Sequence, residues 1–151
     1  SAAEVAHTEA TATHAHMQTM RDRLQQQLTQ AFPAESIQVN GPLDSERRLP
    51  NTLSISIKGM VASQALATLR DRLAASAGAA CHSSGAAVSP VLQAMGVTTE
   101  FGVGTLRLST GRHTTKEEVD AAVQLLLGEA QAQGVTLSQA GMELCKHIPK
   151  L

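Results

Sequence analysis

Aromatic residues are almost absent from this sequence, which contains no tryptophan, no tyrosine and only Phe32 and Phe101. Aliphatic side chains and methionine must therefore fill the core, because aromatic rings normally supply much of the buried apolar area. No apolar run approaches the roughly 20 residues that a membrane-spanning helix needs. The N-terminus also lacks the basic and apolar segments of a signal peptide. We therefore expect a soluble protein without a membrane partner.

An excess of charge of one sign is also lacking, with 12 basic and 13 acidic residues scattered along the chain. The absence of a basic patch argues against a nucleic-acid partner. Cys81 and Cys145 are far apart and no CxxC spacing occurs, so we expect an intracellular location, with cytoplasm and organelle left open. The 151 residues suit one domain, and the start at Ser1 inside a helical pattern suggests a fragment.

Apolar spacing predicts the secondary structure, since steps of three and four indicate helices and alternation indicates strands. Helices are predicted over 17–32, 62–73, 90–95 and 115–133, and strands around 37–39, 53–57 and 106–108. Thr114 and Glu117 are predicted to form the capping box of the last helix. This order predicts an α+β fold in which helices cover a small antiparallel or mixed sheet. We divide the chain into an N-terminal extension of the first helix (1–16), a domain (17–134) and a C-terminal tail (135–151).

Cys81 is the residue most suited to chemistry. It lies in a run of small residues over 76–85 that cannot pack a core, so its thiol is expected to be accessible as a nucleophile. The neighbouring His82 would lower the pKa of the thiol or relay a proton. The alternatives are that Cys81 is buried as a small hydrophobe and that His82 only caps the loop.

Arg107 is the second candidate. Leu106 and Leu108 point to one face of the predicted strand, so Arg107 projects from the other face, where its guanidinium can bind a carboxylate through two parallel hydrogen bonds. If the segments of Cys81 and Arg107 pair in one sheet, a thiol and a carboxylate clamp come together, which suggests an amino-acid substrate. The alternative is a solvated arginine on an exposed sheet face.

Other polar residues have simpler interpretations. Arg112 precedes a helix, where a positive charge is unfavourable unless it is paired, so a structural salt bridge is expected. Cys145 is interpreted as a surface or half-buried helix residue. His14 and His16 point to different faces of a helix, and His7 and His14 are about 10 Å apart along the axis, so no metal site is expected.

Several motifs taken together resemble one known family. The segments that carry the resemblance, which extends from about Met17 to Ala130, are RLPNT (48–52), SAGAACHS (76–83), SPVL (89–92), AMGV (94–97) and GTLRLSTGRHTT (104–115). They closely resemble the C-terminal part of cysteine desulfurases and selenocysteine lyases, in order and in spacing. The resemblance implies the C-terminal domain of a fold-type I pyridoxal 5'-phosphate enzyme of the class V aminotransferase group.

The resemblance also implies roles for two residues. Cys81 matches the cysteine that takes sulfur from L-cysteine as a persulfide while alanine is released. Arg107 matches the arginine that holds the substrate carboxylate, and His82 would be a supporting residue. The implied partners are L-cysteine or L-selenocysteine, a sulfur-acceptor protein, the cofactor domain and, in the complete enzyme, a second copy of the chain.

The sequence departs from this family in lacking the cofactor domain. The lysines, none of which lies in the family's His-Lys cofactor motif, are Lys58, Lys116, Lys146 and Lys150. We therefore expect no cofactor-binding residue here and no turnover of cysteine by this chain alone, because the cofactor supplies the electron sink. Two alternatives stay open, namely part of a selenocysteine lyase and a cofactor-free sulfur carrier or interaction module.

Overall fold

The computed structural model of the chain describes residues 2–44, 47–78 and 88–146. The helices in these ranges are α1 (Ala2–Ala31), α2 (Ala62–Thr68), α3 (Pro90–Ala94), α4 (Thr99–Gly102), α5 (Lys116–Ala132) and α6 (Gln139–Cys145). The strands are β1 (Ile37–Val39), β2 (Thr52–Ile57), β3 (Ser76–Ala77) and β4 (Thr105–Ser109). Helix α1 thus begins well before the predicted residue 17 and includes residues 2–16 of the N-terminal extension. None of these helices is apolar over a length that could cross a membrane.

The four strands form one sheet in the order β1-β2-β4-β3, and each neighbouring pair is antiparallel. The predicted α+β class is confirmed, and the sheet is antiparallel rather than mixed. Strand β4 lies between β2 and β3 although β3 precedes it by about 30 residues in the sequence. This crossover places the residues before and after the α3–α4 region side by side.

The core lies on one face of the sheet, between the strands and the helices α1 and α5. On β2 the alternating Leu53, Ile55 and Ile57 are fully buried, as the period of two predicts. Leu106 and Leu108 join them from β4, and the apolar stripes of α1 and α5 complete one continuous cluster. The second face carries polar side chains, including those next to Arg107.

Two more helix boundaries, besides the start of α1, differ from the prediction. Helix α2 ends at Thr68 rather than near residue 73, because the chain folds into a separate turn closed by Arg72 N–H donating to the Leu69 carbonyl at 2.8 Å. The capping box of α5 is formed by Thr115 and Glu118, one residue later than Thr114 and Glu117. The sequence has consecutive threonines and consecutive glutamates, so both spacings fit, and Thr114 instead accepts a hydrogen bond from Gly111 N–H.

The predicted start and end of α3 are confirmed. Ser89 caps α3 by accepting from Val91 N–H, Pro90 occupies the first turn, and Gly96 ends it with a φ of +76° that favours glycine. In the C-terminal tail, α6 packs across the end of α1. There a Cβ on Gly141 would lie 2.2 Å from the Ala31 carbonyl oxygen, so only glycine allows this approach.

Candidate functional site

Arg107 lies in the middle of β4 and is exposed on the polar face of the sheet. Its cross-strand neighbours are Ser54 on β2 and Ser76 on β3. Both are short, so neither covers the guanidinium and neither supplies a carboxylate. Within the described part of the chain, Arg107 has no hydrogen bond or ion pair. A cation that is exposed and unpaired beside short hydroxyl side chains can bind an anion from solution.

Strand β3 is the start of the segment that contains Cys81. Ser76 lies opposite Arg107, Ala77 lies opposite Leu106, and Gly78 N–H donates to the Thr105 carbonyl at 2.7 Å. Two segments about 30 residues apart in sequence are therefore neighbours. The start of the segment that contains Cys81 is thus paired, as far as Gly78, with the strand that carries Arg107.

Gly78 fits its place because it has no side chain. A Cβ there would lie 2.8 Å from Cβ and Cγ2 of Thr105 and 2.9 Å from Cδ1 of Leu92. Both distances are shorter than ordinary carbon contacts, so a larger residue would push the segment away from β4. The glycine in the small-residue run therefore allows close approach to the strand that carries Arg107.

The described residues after the segment begin with Val88, which is buried in a small apolar cluster with Leu92, Val97 and the half-buried Phe101. Gly102 allows this packing, because a Cβ there would lie 2.5 Å from both Cγ atoms of Val88. Leu92 lies against both Val88 and Gly78, the described residues on either side of 79–87. Gly78 and Val88, the described residues that flank 79–87, thus pack against α3, α4 and β4.

Cys81 and His82 lie outside the described residues. Their predicted roles, and the expectation that the thiol is accessible, stay predictions. The role of Arg107 as a carboxylate clamp stays a prediction as well, although its exposure and its place opposite Ser76 are consistent with that role.

Residues 1–122 match the family model described as aminotransferase class-V. The chain belongs to the class V aminotransferase family. This confirms the resemblance that the motifs around Cys81 and Arg107 indicated. The matched range includes both motifs, so Arg107 and the polar face around it lie in the part of the chain that the family model covers.

Named relatives of this class V chain fall into two groups. Selenocysteine lyase from Homo sapiens is 43% identical over 126 residues, which are 82% of this chain and 28% of that protein. Cysteine desulfurase IscS from Colwellia psychrerythraea is 38% identical over 114 residues, which are 76% of this chain and 27% of that protein. The chain thus spans less than a third of the length of these relatives.

Solved structures show the same fold. A NifS-like protein superposes with a TM-score of 0.63 at 27% sequence identity, over 87% of this chain and 30% of that one. A NifS-like protein from Rickettsia africae superposes with a TM-score of 0.67 over 82% of this chain and 31% of that one, and its 20% identity supports the fold alone. The antiparallel sheet with its helices is therefore an architecture shared with NifS-like proteins.

The described lysines of this class V chain do not fit a cofactor site. Lys58 pairs with Glu100 at 3.1 Å, Lys146 pairs with Glu143, and Lys116 is exposed at the start of α5. Lysines that form Schiff bases are usually desolvated or lie beside another cation, whereas these are solvated or paired with carboxylates. Lys150 lies outside the described residues. None of the three described lysines is therefore assigned to a Schiff base with pyridoxal phosphate, and the expectation that the chain has no cofactor-binding residue stays a prediction.

The remaining charged candidates are structural. Arg112 forms a salt bridge with Glu9 at 2.6 Å, which confirms the predicted pairing. The Nε2 atom of His16 lies 2.8 Å from the Thr114 carbonyl oxygen, a contact that joins α1 to the turn before α5. Across residues 2–44, 47–78 and 88–146, no group of three or more His, Cys, Asp or Glu residues is placed to hold a metal ion.

Cys145 is half-buried on α6, as the sequence predicted. Its burial raises the pKa of the thiol. A raised pKa lowers the thiolate fraction at neutral pH, and the thiolate is the reactive form. Cys145 is therefore a poor nucleophile, and it provides an internal reference against which the reactivity of Cys81 can be measured.

Arg48, from the first motif of the resemblance, lies at the edge of the polar face. Its Nη1 donates to Gln25 Oε1 at 3.0 Å, and its pKa is lowered first by burial and then by the nearby cation of Arg21. Arg21 is itself 1% exposed and donates to the Leu49 carbonyl at 2.9 Å. These two arginines hold the loop of that motif against α1 and so fix the start of β2.

Sequence reasoning missed the buried polar residues beside Arg107. Alternation placed Thr105 on the same face as Arg107, but Thr105 is only 1% exposed because α4 covers that end of the sheet. Thr105 is hydrogen-bonded to Ser56 and to the Phe101 carbonyl, and Ser56 is hydrogen-bonded to Asn40. In the sequence these residues appear only as polar residues in or next to strands. Polar residues on strands usually face solvent, so the sequence gives no signal of their burial.

Proposed function

We propose that this chain is the C-terminal part of a pyridoxal phosphate-dependent cysteine desulfurase. Cys81 takes the sulfur atom of L-cysteine, the carbon–sulfur bond of the substrate breaks, and the carbon skeleton leaves as alanine. Sulfur remains on Cys81 as a persulfide, from which an acceptor protein receives it. The cofactor is held by a part of the enzyme that this chain does not contribute.

The observation that carries this proposal is the pairing of β3 with β4. It sets the start of the cysteine segment opposite Arg107, an exposed cation with no partner in the described part of the chain. Cys81 follows Gly78 by three residues, a separation that a fully extended chain spans in about 10 Å. That length allows a thiol to approach an amino acid whose carboxylate is held by Arg107.

The nucleophile is tested by replacing each cysteine in the complete enzyme that contains this chain. Cys81→Ser is expected to abolish persulfide formation and alanine release from L-cysteine. Cys145→Ser is the matched control and is expected to retain both, because Cys145 is half-buried with a raised pKa. Desulfurase activity that persists in Cys81→Ser would remove the nucleophile from the proposal.

The carboxylate clamp is tested with Arg107→Ala. Loss of charge-assisted hydrogen bonds worth about 1.5–3 kcal/mol is expected to raise KM for cysteine by roughly 10- to 150-fold, with a stable fold. Arg70→Ala is the control, since Arg70 is an exposed arginine whose one ion pair within the described ranges is with the adjacent Asp71 at 3.6 Å. Equal KM values in the two variants would contradict the clamp.

Selenocysteine lyase is the second candidate, and the relatives that carry this name support it at up to 43% identity. The same thiol-bearing segment and carboxylate clamp would serve a selenium substrate. Alanine release from L-selenocysteine and from L-cysteine, measured with the same enzyme preparation, separates the two. A cofactor-free sulfur carrier is a third interpretation, and it predicts that Cys81 accepts sulfur only from another enzyme.

A further inference from the structure

A chain of buried polar side chains crosses the sheet two residues before Arg107. Asn40 Nδ2 donates to Ser56 Oγ at 2.8 Å, Ser56 Oγ lies 2.7 Å from Thr105 Oγ1, and Thr105 Oγ1 donates to the Phe101 carbonyl oxygen at 3.1 Å. Ser56 is fully buried, Thr105 is 1% exposed and Asn40 is 8% exposed. These contacts connect the end of β1, through β2 and β4, to helix α4.

The direction of this hydrogen-bond chain is fixed at both ends. A side-chain amide nitrogen only donates and a backbone carbonyl only accepts. The single hydroxyl hydrogen of Thr105 is used on Phe101, so Ser56 must donate to Thr105. Each hydroxyl therefore gives one hydrogen bond and receives one. Removing the Ser56 hydroxyl takes away the hydrogen bond that Thr105 Oγ1 accepts, although Asn40 Nδ2 keeps Ser54 Oγ at 3.3 Å and the Phe101 carbonyl keeps Gly104 N–H at 3.1 Å. The effect of this chain therefore falls on Thr105, whose hydroxyl loses one of its two hydrogen bonds.

Thr105 connects these polar side chains to Gly78 and, through α4, to Val88, the two described residues that flank 79–87. Its carbonyl accepts from Gly78 N–H, and its Cβ and Cγ2 lie against Gly78. Its hydroxyl holds the carbonyl of Phe101, and the next residue, Gly102, is packed against Val88. The Thr105 residue thus contacts Gly78 and also holds α4, the helix against which Val88 packs.

We propose that Thr105 is a positioning residue for the cysteine segment, held in place by the hydrogen-bond chain from Asn40 through Ser56. It sets the positions of Gly78 and Val88, the described residues on either side of 79–87, relative to Arg107, which projects from the same face of the same strand about 7 Å further along. The effect on catalysis rests on the proposed function, whereas the effect on Gly78 and Val88 does not.

The sharpest test changes Ser56, which contacts Thr105 but lies on β2 rather than on the segment. Hydrogen exchange of the Gly78 amide is measured by nuclear magnetic resonance in the full chain. Ser56→Ala is expected to speed that exchange about tenfold, because Thr105 loses its donor. Unchanged Gly78 exchange in Ser56→Ala would overturn the proposal, since local packing by Thr105 alone predicts no effect from β2.

Substitutions at Thr105 separate its hydroxyl from its methyl group. Thr105→Ser keeps the hydroxyl and is expected to keep slow exchange at Gly78, whereas Thr105→Val loses the hydroxyl at nearly constant shape and is expected to match Ser56→Ala. Thr110→Val is the matched control, because Thr110 is also buried and its Oγ1 donates to the Met17 carbonyl at 3.0 Å. Equal acceleration at Gly78 in Thr110→Val would overturn the proposal.

The complete enzyme gives the functional readout. Ser56→Ala is expected to lower kcat for persulfide formation about tenfold while KM for cysteine changes less than about twofold, since Arg107 makes no contact with the polar chain. A rise in KM with constant kcat would overturn the positioning role. If Cys81→Ser retained full activity, the proposed function would fail, but the exchange of Gly78 would still decide whether Thr105 positions the segment.

Discussion

Gly104 is the residue at which the geometry makes the strongest prediction about stability. It directly precedes β4, and its carbonyl accepts a hydrogen bond from Ile57 N–H at 3.1 Å. A Cβ at this position would lie 1.9 Å from the Ile57 carbonyl oxygen and 3.0 Å from that of Met60. The clashing atoms belong to the backbone, so no side-chain rotation can relieve the contact.

The expected cost of Gly104→Ala follows from these distances. Carbon and oxygen normally approach to about 3.3 Å, so the end of β2 must move away by about 1.4 Å. Overpacking of this kind costs about 1–3 kcal/mol, and loss of the hydrogen bond to Ile57 adds about 1 kcal/mol. We expect a total near 3 kcal/mol, which is a large part of the about 5–15 kcal/mol that stabilises a typical domain.

Urea unfolding followed by far-ultraviolet circular dichroism measures this loss. The chain has no tryptophan or tyrosine, so intrinsic fluorescence would report little. Gly111→Ala is the matched control, because a Cβ there would meet only Thr114 Oγ1, at 3.8 Å. We expect this control to stay within about 0.5 kcal/mol of the unsubstituted chain. If Gly104→Ala lost less than about 1 kcal/mol, the close approach of β4 to Ile57 would be refuted.

Two further predictions concern α5. Asp120 accepts two hydrogen bonds from Arg23 at 2.8 Å and one from Gln27, and the Arg23 hydrogen bond is the main cause of its lowered pKa. Asp120→Asn should therefore lose about 0.5–1 kcal/mol at pH 7, since both partners are more than a third exposed. In urea unfolding the loss should begin to shrink as pH falls below the carboxyl's usual pKa of 3.8 and should vanish once pH is below the lowered pKa of Asp120 in the folded chain. A difference that persists when the folded carboxyl is protonated would contradict the ion pair. Thr115→Ala should lower the unfolding free energy by about 1 kcal/mol and by more than Thr114→Ala, whereas the reverse order would restore Thr114 as the cap.

Local features of the fold were predictable because they depend on neighbouring residues. The alternation of Leu53, Ile55 and Ile57 placed β2, and Ser89 with Pro90 placed the start of α3. The capping box of α5 was misplaced by one residue because Thr114 and Thr115 offer the same chemistry. The turn in which Gly111 N–H donates to Thr114 decides between them, and the spacing of threonine and glutamate does not distinguish the two choices.

The candidate site was predictable only in part. The small-residue run before Cys81 and the strand pattern around Arg107 indicated both residues, and the resemblance assigned their roles. Thr105 was not found, because alternation assigns a strand residue to a face without saying whether a helix covers that face. Thr105 is buried beside α4, a short helix that the apolar pattern did not predict and whose Phe101 carbonyl accepts the Thr105 hydrogen bond.

Periodicity, together with motifs read in order, was enough to predict the fold class, the alternating strands and the family. The tertiary structure decided that Ser76 lies opposite Arg107 and that Gly78 rests against Thr105. Strand pairing joins residues about 30 positions apart, and no local preference selects a partner at that distance. Hydrogen bonds between strands and the burial of one shared apolar face make that selection together.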